Sequence, residues 1–307
     1  MSTLIEFDEV CKYYQMGDTL VKAADHVSFK INKGEFVAIV GQSGSGKSTC
    51  MNIIGCLDVP TEGTYLLDGK DVGKMSRREL AHIRNEKLGF IFQQYNLLPK
   101  LTLLENVEVP LVYAGIPAAQ RHATAKAALE RVGLGNKLKN LPNQLSGGQQ
   151  QRIALARALV ISPDVLLMDE PLSNLDAKLR VEMRSVIRHT QKSVGITTVY
   201  VTHDQEEAMA ISDRIAVMKD GVIQHVGTPR DIYQRPKNVF VATFIGRTNI
   251  VNAHVKDGII TFADGYHEHI DALDKAAEQD VRCSIRPEEF IICKDGTDGI
   301  HGTVQEC

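Results

Sequence analysis

The chain has 307 residues, 43% apolar and 24% charged, which suits about two globular domains of roughly 150 residues each. This composition excludes extensive disorder, and a net charge of −3 excludes a wholly basic nucleic-acid-binding protein, so no nucleic-acid partner is expected. No apolar run approaches the roughly 18 residues of a membrane span, and the acidic N-terminus does not resemble a secretory signal. The six cysteines lack metal-binding spacing and are expected to be reduced thiols of a cytosolic protein.

Short apolar strands alternate with helical segments over residues 35–218. This alternation is typical of an α/β fold whose parallel sheet carries helices on both faces. In chain order, the pattern predicts strands at 35–40, 88–92, 165–168, 197–202 and 215–218. It predicts helices at 47–57, 76–86, 118–132, 148–160 and 177–194 and a short helix at 208–211. The helix at 76–86 begins at a capping box formed by Ser76 and Glu79.

Charge and turn composition change near residues 245–250. Residues 250–307 contain 12 Asp and Glu against 5 Lys and Arg, whereas residues 1–249 contain 26 against 30. Short strand-like runs follow, separated by Asp-Gly turns that begin at residues 257, 264 and 295. The sequence therefore predicts two domains, one at 1–245 and a small β domain at 246–307.

One segment fits the motif G-x-x-x-x-G-K-[ST]; it reads Gly41-Gln42-Ser43-Gly44-Ser45-Gly46-Lys47-Ser48-Thr49. The segment follows a predicted strand and opens a predicted helix, which is the context of a phosphate-binding P-loop. Its glycines allow backbone N–H groups to face a phosphate at the helix N-terminus. Lys47 is expected to reach the β- and γ-phosphates of a nucleotide, and Ser48 to ligate Mg²⁺.

Further motifs narrow the class of nucleotide-binding protein. The run 145–149, Leu-Ser-Gly-Gly-Gln, opens a predicted helix, the pair Asp169 and Glu170 follows one strand, and His203 follows the next. A P-loop kinase has no reason to contain the first and last of these. In order and context, the motifs over residues 4–250 resemble those of the ABC-family ATPases. The resemblance implies a P-loop NTPase fold with a helical subdomain at about 95–160 and an activity that hydrolyses ATP.

The resemblance implies catalytic roles for three residues. Glu170 matches the general base that polarises the attacking water, and His203 matches a γ-phosphate contact that holds this base and water in line. Gln93, with Gln94 as the alternative, matches the glutamine that touches Mg²⁺ or the attacking water and senses the membrane partner. The implied ligands of Mg²⁺ are Ser48, Gln93 and Asp169.

ATP binding is implied at three further places. Tyr14, with Tyr13 as the alternative, matches the aromatic residue that stacks on adenine, and Asp176 lies in the loop that couples two nucleotide sites. In this family the signature motif binds ATP held by the opposite subunit, so a homodimer or a paired ATPase subunit is implied. The ATP ligands implied besides Tyr14 and Asp176 are Gly41, Ser43, Gly44, Ser45, Gly46, Lys47, Ser48, Thr49, Ser146, Gly147, Gly148 and Gln149.

Different parts of the chain resemble different transport ATPases. Residues 55–58 and 84–99 resemble the lipoprotein-release and macrolide-efflux ATPases, whereas residues 169–180 and 286–289 resemble importers of sugars, polyamines and ferric iron. Efflux ATPases normally end near residue 224 of this chain, so an importer is favoured, an efflux ATPase is the alternative, and a soluble non-transport ABC protein is third. The implied partners are permease subunits and a solute-binding protein, with the ATPase peripheral at the cytoplasmic face of the cell membrane.

The C-terminal region is predicted to be a partial OB-like regulatory β domain. The importers' small barrel needs more residues than follow Arg286, so either the barrel is incomplete or the chain is truncated. His267 and His269 alternate on a predicted strand, but the sequence places no third metal ligand beside them. Cys50 lies on the P-loop helix, and we hypothesise that modification of its thiol blocks ATP binding.

Overall fold

The computed structural model describes residues 2–291 and 299–300. The chain divides into two compact units, Met1–Arg230 and Asp231–Cys307. The first unit holds two sheets with their helices, and the second holds a small third sheet. This division falls earlier in the chain than the expected boundary after residue 245, and the domain limits stay a prediction. The Asp-Gly turn predicted at residue 295 lies outside the described residues.

The secondary structure of the described residues comprises fourteen strands and nine α-helices. The strands are β1 (Thr3–Met16), β2 (Thr19–Asn32), β3 (Phe36–Gly41), β4 (Glu62–Leu67), β5 (Lys70–Asp71), β6 (Leu88–Ile91), β7 (Val165–Asp169), β8 (Thr197–Thr202), β9 (Arg214–Lys219), β10 (Val222–Gly227), β11 (Asn249–Lys256), β12 (Ile259–Phe262), β13 (His267–His269) and β14 (Gln279–Ile285). The helices are α1 (Lys47–Ile54), α2 (Arg77–Lys87), α3 (Leu103–Tyr113), α4 (Ala118–Arg131), α5 (Gly147–Leu159), α6 (Ala177–Val194), α7 (Gln205–Ile211), α8 (Pro229–Gln234) and α9 (Val239–Phe244).

The central sheet of the first unit has six strands in the order β10-β9-β3-β8-β7-β6. The pairs from β9 to β6 are parallel, and β10 is an antiparallel edge strand. The predicted α/β fold with a parallel sheet is confirmed. Because parallel strands end at the same edge, Gly41, Asp169 and Thr202 come together at the carboxyl edge of this sheet.

Helices cover both faces of the central sheet, as the alternation of strands and helices predicts. Ile39 on one face packs in a cluster with Ile53 of α1. Tyr200 on the other face packs in a cluster with Ile187 of α6. β3 and β8 are buried along their whole length, which explains why β3 is a continuous apolar run and why β8, rich in β-branched residues, shows no alternation of apolar and charged side chains.

A second, antiparallel sheet with the order β2-β1-β4-β5 was not predicted from the sequence. Phe7 on β1 is the centre of its core, 4.9 Å from the rings of both Phe29 and Tyr65. The two long strands pair with register shifts between Phe7 and Val10 and again near Lys12. These bulges interrupt the two-residue alternation, so no continuous strand pattern is visible in the sequence.

Helices α3, α4 and α5 share a separate hydrophobic cluster that includes Leu103, Leu129 and Ile153. α3 was not predicted, because Pro110 breaks its sequence pattern. The helix begins at a capping box formed by Thr102 and Glu105, in which each residue bonds the backbone N–H of the other. The three helices lie within the expected helical subdomain, whose limits stay a prediction.

The second unit contains an antiparallel sheet with the order β13-β12-β11-β14. Arg286, which follows β14 and is only 3% exposed, connects this sheet with α8 and α9. Its guanidinium donates to the backbone carbonyls of Tyr233 at 2.7 Å, Ala242 at 3.0 Å and Arg247 at 3.1 Å. It also lies 4.1 Å above the Tyr233 ring. Arg286 therefore holds the unit together through carbonyl groups and a cation–π contact.

No helix among residues 2–291 and 299–300 combines the length and apolar character that crossing a membrane requires.

Candidate active site

The P-loop connects β3 to α1 in a conformation that depends on glycine. Gly44 and Gly46 have φ values of 79° and 96°, in the left-handed region that favours glycine. A Cβ on Gly46 would overlap the carbonyl oxygen of Ala23. The Ser45 hydroxyl is buried without a hydrogen-bond partner among the described residues. A buried polar group without a partner is costly, and it indicates that this loop is built to receive a polar ligand.

Lys47 carries a buried positive charge in the P-loop. Its side chain is 6% exposed, and Nζ donates to the carbonyls of Gly41 and Gln42, both at 2.9 Å. Within the described residues, no carboxylate lies at ion-pairing distance from it. Burial lowers the pKa of Lys47, and the nearby charges of Glu170 and Asp169 oppose that shift. A buried ammonium held only by carbonyls is suited to an anionic phosphate.

The remaining P-loop residues open α1. Ser43 and Gly44 are exposed in the loop, and Ser48 is exposed in the first turn of the helix. Thr49 is half-buried one residue later. The hydroxyl groups of Ser43 and Ser48 therefore lie on the accessible side of the helix N-terminus, where an anion is favoured.

Two neighbouring carboxylates follow β7. Burial, followed by the charge of Glu170, raises the pKa of Asp169, while Lys47 lowers it. Glu170 has a left-handed φ of 43°, and its N–H donates to the Val201 carbonyl at 2.8 Å. The Glu170 carboxylate faces His203, whose Nδ1 lies 3.1 Å from Glu170 Oε1. The structure thus brings together the two residues expected to handle the attacking water.

The loop after β6 is connected to the loop after β7. Gln93 is exposed, and its carbonyl accepts a hydrogen bond from the side-chain amide of Asn174 at 2.9 Å. Arg157 on α5 donates to the next carbonyls, those of Tyr95 at 2.6 Å and Asn96 at 2.7 Å. A displacement of this loop would therefore disturb its hydrogen bonds with Arg157 on α5 and with Asn174.

The signature motif lies at the start of α5. Ser146 is its N-cap, with Oγ accepting from the Gln149 N–H at 3.4 Å, and Gln149 Oε1 accepts from the Ser146 N–H at 3.2 Å. Gly148 is buried against Leu179, whose side chain would have to shift to admit a Cβ there. Asp176 is exposed and caps α6 through the Leu179 N–H at 3.0 Å. No contact recorded within the described residues joins this motif to the P-loop.

Tyr14 is anchored beside the P-loop helix. It is 37% exposed, and its hydroxyl donates to Asp58 Oδ2 at 2.8 Å. Lys12 contacts Asp58 Oδ1 at 2.6 Å and lies 5.2 Å above the Tyr14 ring. Burial and Asp58 raise the pKa of Tyr14 to about 12, against an opposing hydrogen bond from Thr49 of α1. Tyr13, the alternative, instead donates its hydroxyl to Asp25 at 2.5 Å.

Lys12, Asp58 and Arg157 are contributions to the site that the sequence reasoning missed. Asp58 was noted only as part of a run that resembles efflux ATPases, and Lys12 and Arg157 were not singled out at all. Lys12 and Asp58 are 46 residues apart, and Arg157 lies 61 residues beyond Asn96, so no local spacing joins them. An acid with a lysine on a separate strand is not a recognisable motif. Only the folded chain shows these contacts.

Burial of the Cys50 thiol argues against our hypothesis that its modification blocks ATP binding. The described cysteines are Cys11, Cys50, Cys56 and Cys283, and all four are free. Burial raises the pKa of Cys50 to about 12 and that of Cys56 to about 11. The thiolate is the nucleophilic form of cysteine, so both thiols are expected to be inert in the folded protein.

We expect iodoacetamide at pH 8 to leave Cys50 unmodified while the protein is folded, because about one such thiol in 10⁴ is ionised. Peptide mass spectrometry before and after denaturation in guanidinium measures this directly. Cys283, which is only half-buried, provides the comparison within the same sample. Alkylation of Cys50 at the rate of Cys283 would contradict the expectation.

Comparison with known proteins agrees with this arrangement. A family model described as ABC transporter matches residues 24–173. The chain is 46% identical to the Fe(3+) ions import ATP-binding protein FbpC of Fusobacterium nucleatum, over 306 residues that cover 99% of this chain and 80% of that protein. The chain belongs to the ABC transporter family. It is an ATP-hydrolysing subunit of that family, as its motifs predict, and ATP is its nucleotide.

This ABC ATPase is also similar to the macrolide export ATP-binding/permease protein MacB of Brucella abortus. The identity is 47% over 230 residues, which cover 75% of this chain and 35% of that protein. Its fold is similar to the dimeric ATP-binding cassette MJ0796 bound to ADP and Pi in a post-hydrolysis state. For that structure the TM-score is 0.67 and the identity 42%, over 74% of this chain and 99% of that one. The predicted resemblances to importer and efflux ATPases are both confirmed.

Proposed function

We propose that this ABC ATPase powers a membrane importer, hydrolysing Mg²⁺-bound ATP at the interface between two ATPase subunits. The observation that carries import is the extent of similarity. The match to an import ATP-binding protein covers 99% of this chain, whereas the match to a macrolide export protein covers 75%. An exporter ATPase remains the second candidate because its percentage identity over the shorter region is equally high.

The residues at the carboxyl edge of the central sheet fit a hard cation. The Asp169 carboxylate has no hydrogen bond or ion pair within the described residues, although it is half-buried beside Glu170. Carboxylate, hydroxyl and amide oxygens are the donors that suit Mg²⁺. We assign Asp169, Ser48 and Gln93 as the residues that hold it. When bound, Mg²⁺ neutralises charge on the phosphate oxygens.

Glu170 and His203 support the hydrolytic step. Water attacks the γ-phosphorus, its proton passes to Glu170, and the bond from phosphorus to the bridging oxygen of ADP breaks. His203 Nδ1, 3.1 Å from Glu170 Oε1, orients the carboxylate. Lys47 places its buried charge where the β- and γ-phosphates bind, and the charge offsets the negative charge of the transferring group.

The position of the signature motif supports a dimer. Ser146 is exposed at the N-terminus of α5, where N–H groups and the helix dipole favour an anion. Within the described residues, nothing in the chain's own P-loop contacts it. We infer that a second ATPase subunit supplies the nucleotide for this motif, and that Asp176 lies near the same interface.

A surface next to the Gln93 loop is suited to the permease. Leu98, Val112 and Tyr113 are large apolar side chains that are 45%, 52% and 78% exposed. Tyr113 lines both a groove of about 1110 Å³ along α2 and a smaller one of about 290 Å³ beside Asn96 and Arg157. A permease segment bound at Tyr113 would lie next to Arg157, which donates hydrogen bonds to the Gln93 loop. We therefore place the ATPase at the cytoplasmic face of the membrane, bound to permease subunits and working with a solute-binding protein.

Purification of the tagged ATPase from detergent-solubilised membranes tests this function. For an importer, we expect permease subunits together with a periplasmic or lipid-anchored solute-binding protein. A partner with few membrane spans and a large extracytoplasmic domain would instead establish the exporter function. Recovery of ATPase activity without any membrane protein would overturn both.

Replacing Asp58 by Asn tests whether Tyr14 binds adenine. The change weakens the contacts of Asp58 with Lys12 and the Tyr14 hydroxyl, so the ring loses its fixed position. We expect the KM for ATP to rise about 3- to 10-fold with little change in kcat, roughly the net contribution of one ordinary hydrogen bond. Steady-state ATPase kinetics measure this.

Asp68→Asn is the matched control, since Asp68 pairs with Lys33 elsewhere on the surface at 3.0 Å. Tyr14→Ala and Tyr13→Ala distinguish the two candidate aromatics. A larger rise in KM for Tyr13→Ala than for Tyr14→Ala, with no effect of Asp58→Asn, would transfer the adenine contact to Tyr13.

A further inference from the structure

Three metal-binding side chains meet on the β1–β2 hairpin, outside the nucleotide site. Cys11 Sγ, a carboxylate oxygen of Asp25 and a ring nitrogen of His26 all lie within 4.8 Å of one another. His26 Nε2 is 3.8 Å from Asp25 Oδ1. Zn²⁺ bonds of about 2.0–2.3 Å place two tetrahedral ligands roughly 3.5 Å apart, so the ligand atoms would draw together by up to about 1.3 Å on binding. We propose that Cys11, Asp25 and His26 form a Zn²⁺ site, with a water as the fourth ligand.

The groups around the three ligands are those that a zinc site uses. His26 Nδ1 lies 2.9 Å from Glu9 Oε2, and Ser28 donates to the other oxygen of Glu9 at 2.8 Å. This carboxylate–histidine contact orients the ring and leaves Nε2 for the metal. The Tyr13 hydroxyl donates a hydrogen bond to Asp25 Oδ1 and thereby orients the Asp25 carboxylate. Both outer partners are therefore already in place.

The thiol lies at the inner side of the cluster, where a thiolate would be supported. Cys11 is fully buried, and its Sγ accepts the backbone N–H of His26 at 3.2 Å. A hydrogen bond from an N–H group and a nearby metal both favour the thiolate form. The ring of His26 is 63% exposed and Asp25 is 22% exposed, so a metal ion can approach from that side.

The hairpin backbone is strained at the cluster. Glu9 and His26 both have φ near 50°, an uncommon conformation for residues other than glycine. They lie at the bulges where β1 and β2 lose register. A regular ladder would alternate successive side chains across the sheet, whereas the bulges bring Asp25 and His26, neighbours in sequence, to the same thiol.

Lys22 competes with the proposed metal ion for the Asp25 carboxylate. Its ammonium lies 3.2 Å from Asp25 Oδ2, but its side chain is 53% exposed and can withdraw into solvent. A lysine charge beside a cation site weakens binding by repulsion. The proposal therefore predicts that Lys22→Met tightens metal binding, whereas a purely structural ion pair predicts no effect on metal.

The site is coupled to the P-loop through the backbone. Asp25 N–H donates to the Gly221 carbonyl at 2.9 Å, and Gly221 N–H donates to the Ser45 carbonyl at 3.1 Å. Metal binding would therefore stabilise the segment that supports the phosphate-binding loop. A second group, His269 with Asp271 and Asp274, is exposed throughout and offers no thiol, so its binding is distinguishable.

Co²⁺ titration of the full chain tests the site without nucleotide, independently of ATP hydrolysis or transport. We expect a thiolate-to-Co²⁺ absorption band that saturates at one equivalent and is displaced by Zn²⁺. The band should disappear in Cys11→Ser and persist unchanged in Cys283→Ser. The apparent affinity for Co²⁺ should fall at least tenfold in His26→Ala and rise in Lys22→Met. Zn²⁺ should raise the thermal unfolding temperature of the wild type but not of His26→Ala.

Two results would overturn the proposal. The first is the absence of a thiolate band in a wild-type protein that unfolds cooperatively. The second is a band that Cys11→Ser leaves intact, which assigns the metal to another cysteine. His26→Ala keeps the test decisive if Cys11→Ser fails to fold, because His26 is exposed and its loss leaves the buried core unchanged.

Discussion

Replacing Glu170 by Gln is expected to reduce ATP turnover about 10²- to 10⁴-fold, the usual contribution of a general base. Glutamine keeps the size of the side chain and a contact with His203, but it cannot accept the proton of the attacking water. ATP binding through Lys47 is unaffected, so ATP-bound dimers should accumulate. Single-turnover hydrolysis and size-exclusion chromatography with ATP measure the two effects.

Glu182→Gln is the matched control, because Glu182 is an exposed carboxylate on α6. It should leave both turnover and dimerisation unchanged. Turnover by Glu170→Gln within a factor of two of the wild type would show that another group removes the proton, and the role of Glu170 would have to be withdrawn.

Replacing Lys47 by Met is expected to weaken ATP binding by about 10- to 100-fold, the size of a charge-assisted hydrogen bond to phosphate. Lys47 is buried, and its partners among the described residues are two carbonyls, so the charge is costly to the folded protein without ATP. Methionine fills similar space without a charge. The thermal unfolding temperature should therefore stay equal or rise while ATP affinity falls. Calorimetric ATP titration and thermal unfolding measure the two quantities on the same sample.

Because ATP affinity falls while the unfolding temperature does not, Lys47→Met distinguishes damage to the binding site from damage to the fold. Lys74→Met is the control, since Lys74 is 84% exposed and forms an ion pair with Asp71, three residues earlier in the chain. It should change neither quantity. A Lys47→Met protein that is less stable than the wild type and binds ATP normally would refute our account of the P-loop charge.

Local patterns in the sequence were sufficient for the five parallel strands of the central sheet, but not for its antiparallel edge strand β10. The helix at 177–194 and the strand at 197–202 have the predicted limits, and the Ser76–Glu79 capping box is present. These elements depend on interactions between near neighbours, namely continuous apolar runs, caps and helical spacing. The β1–β2 hairpin was missed because its bulges break the periodicity that such reasoning needs.

The position of the catalytic carboxylates was predictable for the same reason. Val165 to Met168 is an uninterrupted apolar run, so β7 had to be buried in a parallel sheet and Asp169 had to reach its carboxyl edge. The strained φ of Glu170 was not predictable, since it depends on how β7 and β8 pair, and its contact with His203 was implied only by the family resemblance.

The sequence by itself determined the family, the P-loop and the order of the catalytic motifs, because these reside in short runs whose spacing is set by the backbone. Only the tertiary structure decided that Asp58 and Lys12 hold Tyr14, that Arg157 supports the Gln93 loop, and that the Cys50 thiol is fully buried. It also decided that Cys11 meets Asp25 and His26. Each of these depends on burial or on contacts between residues distant in the chain, and neither property is encoded in any local pattern.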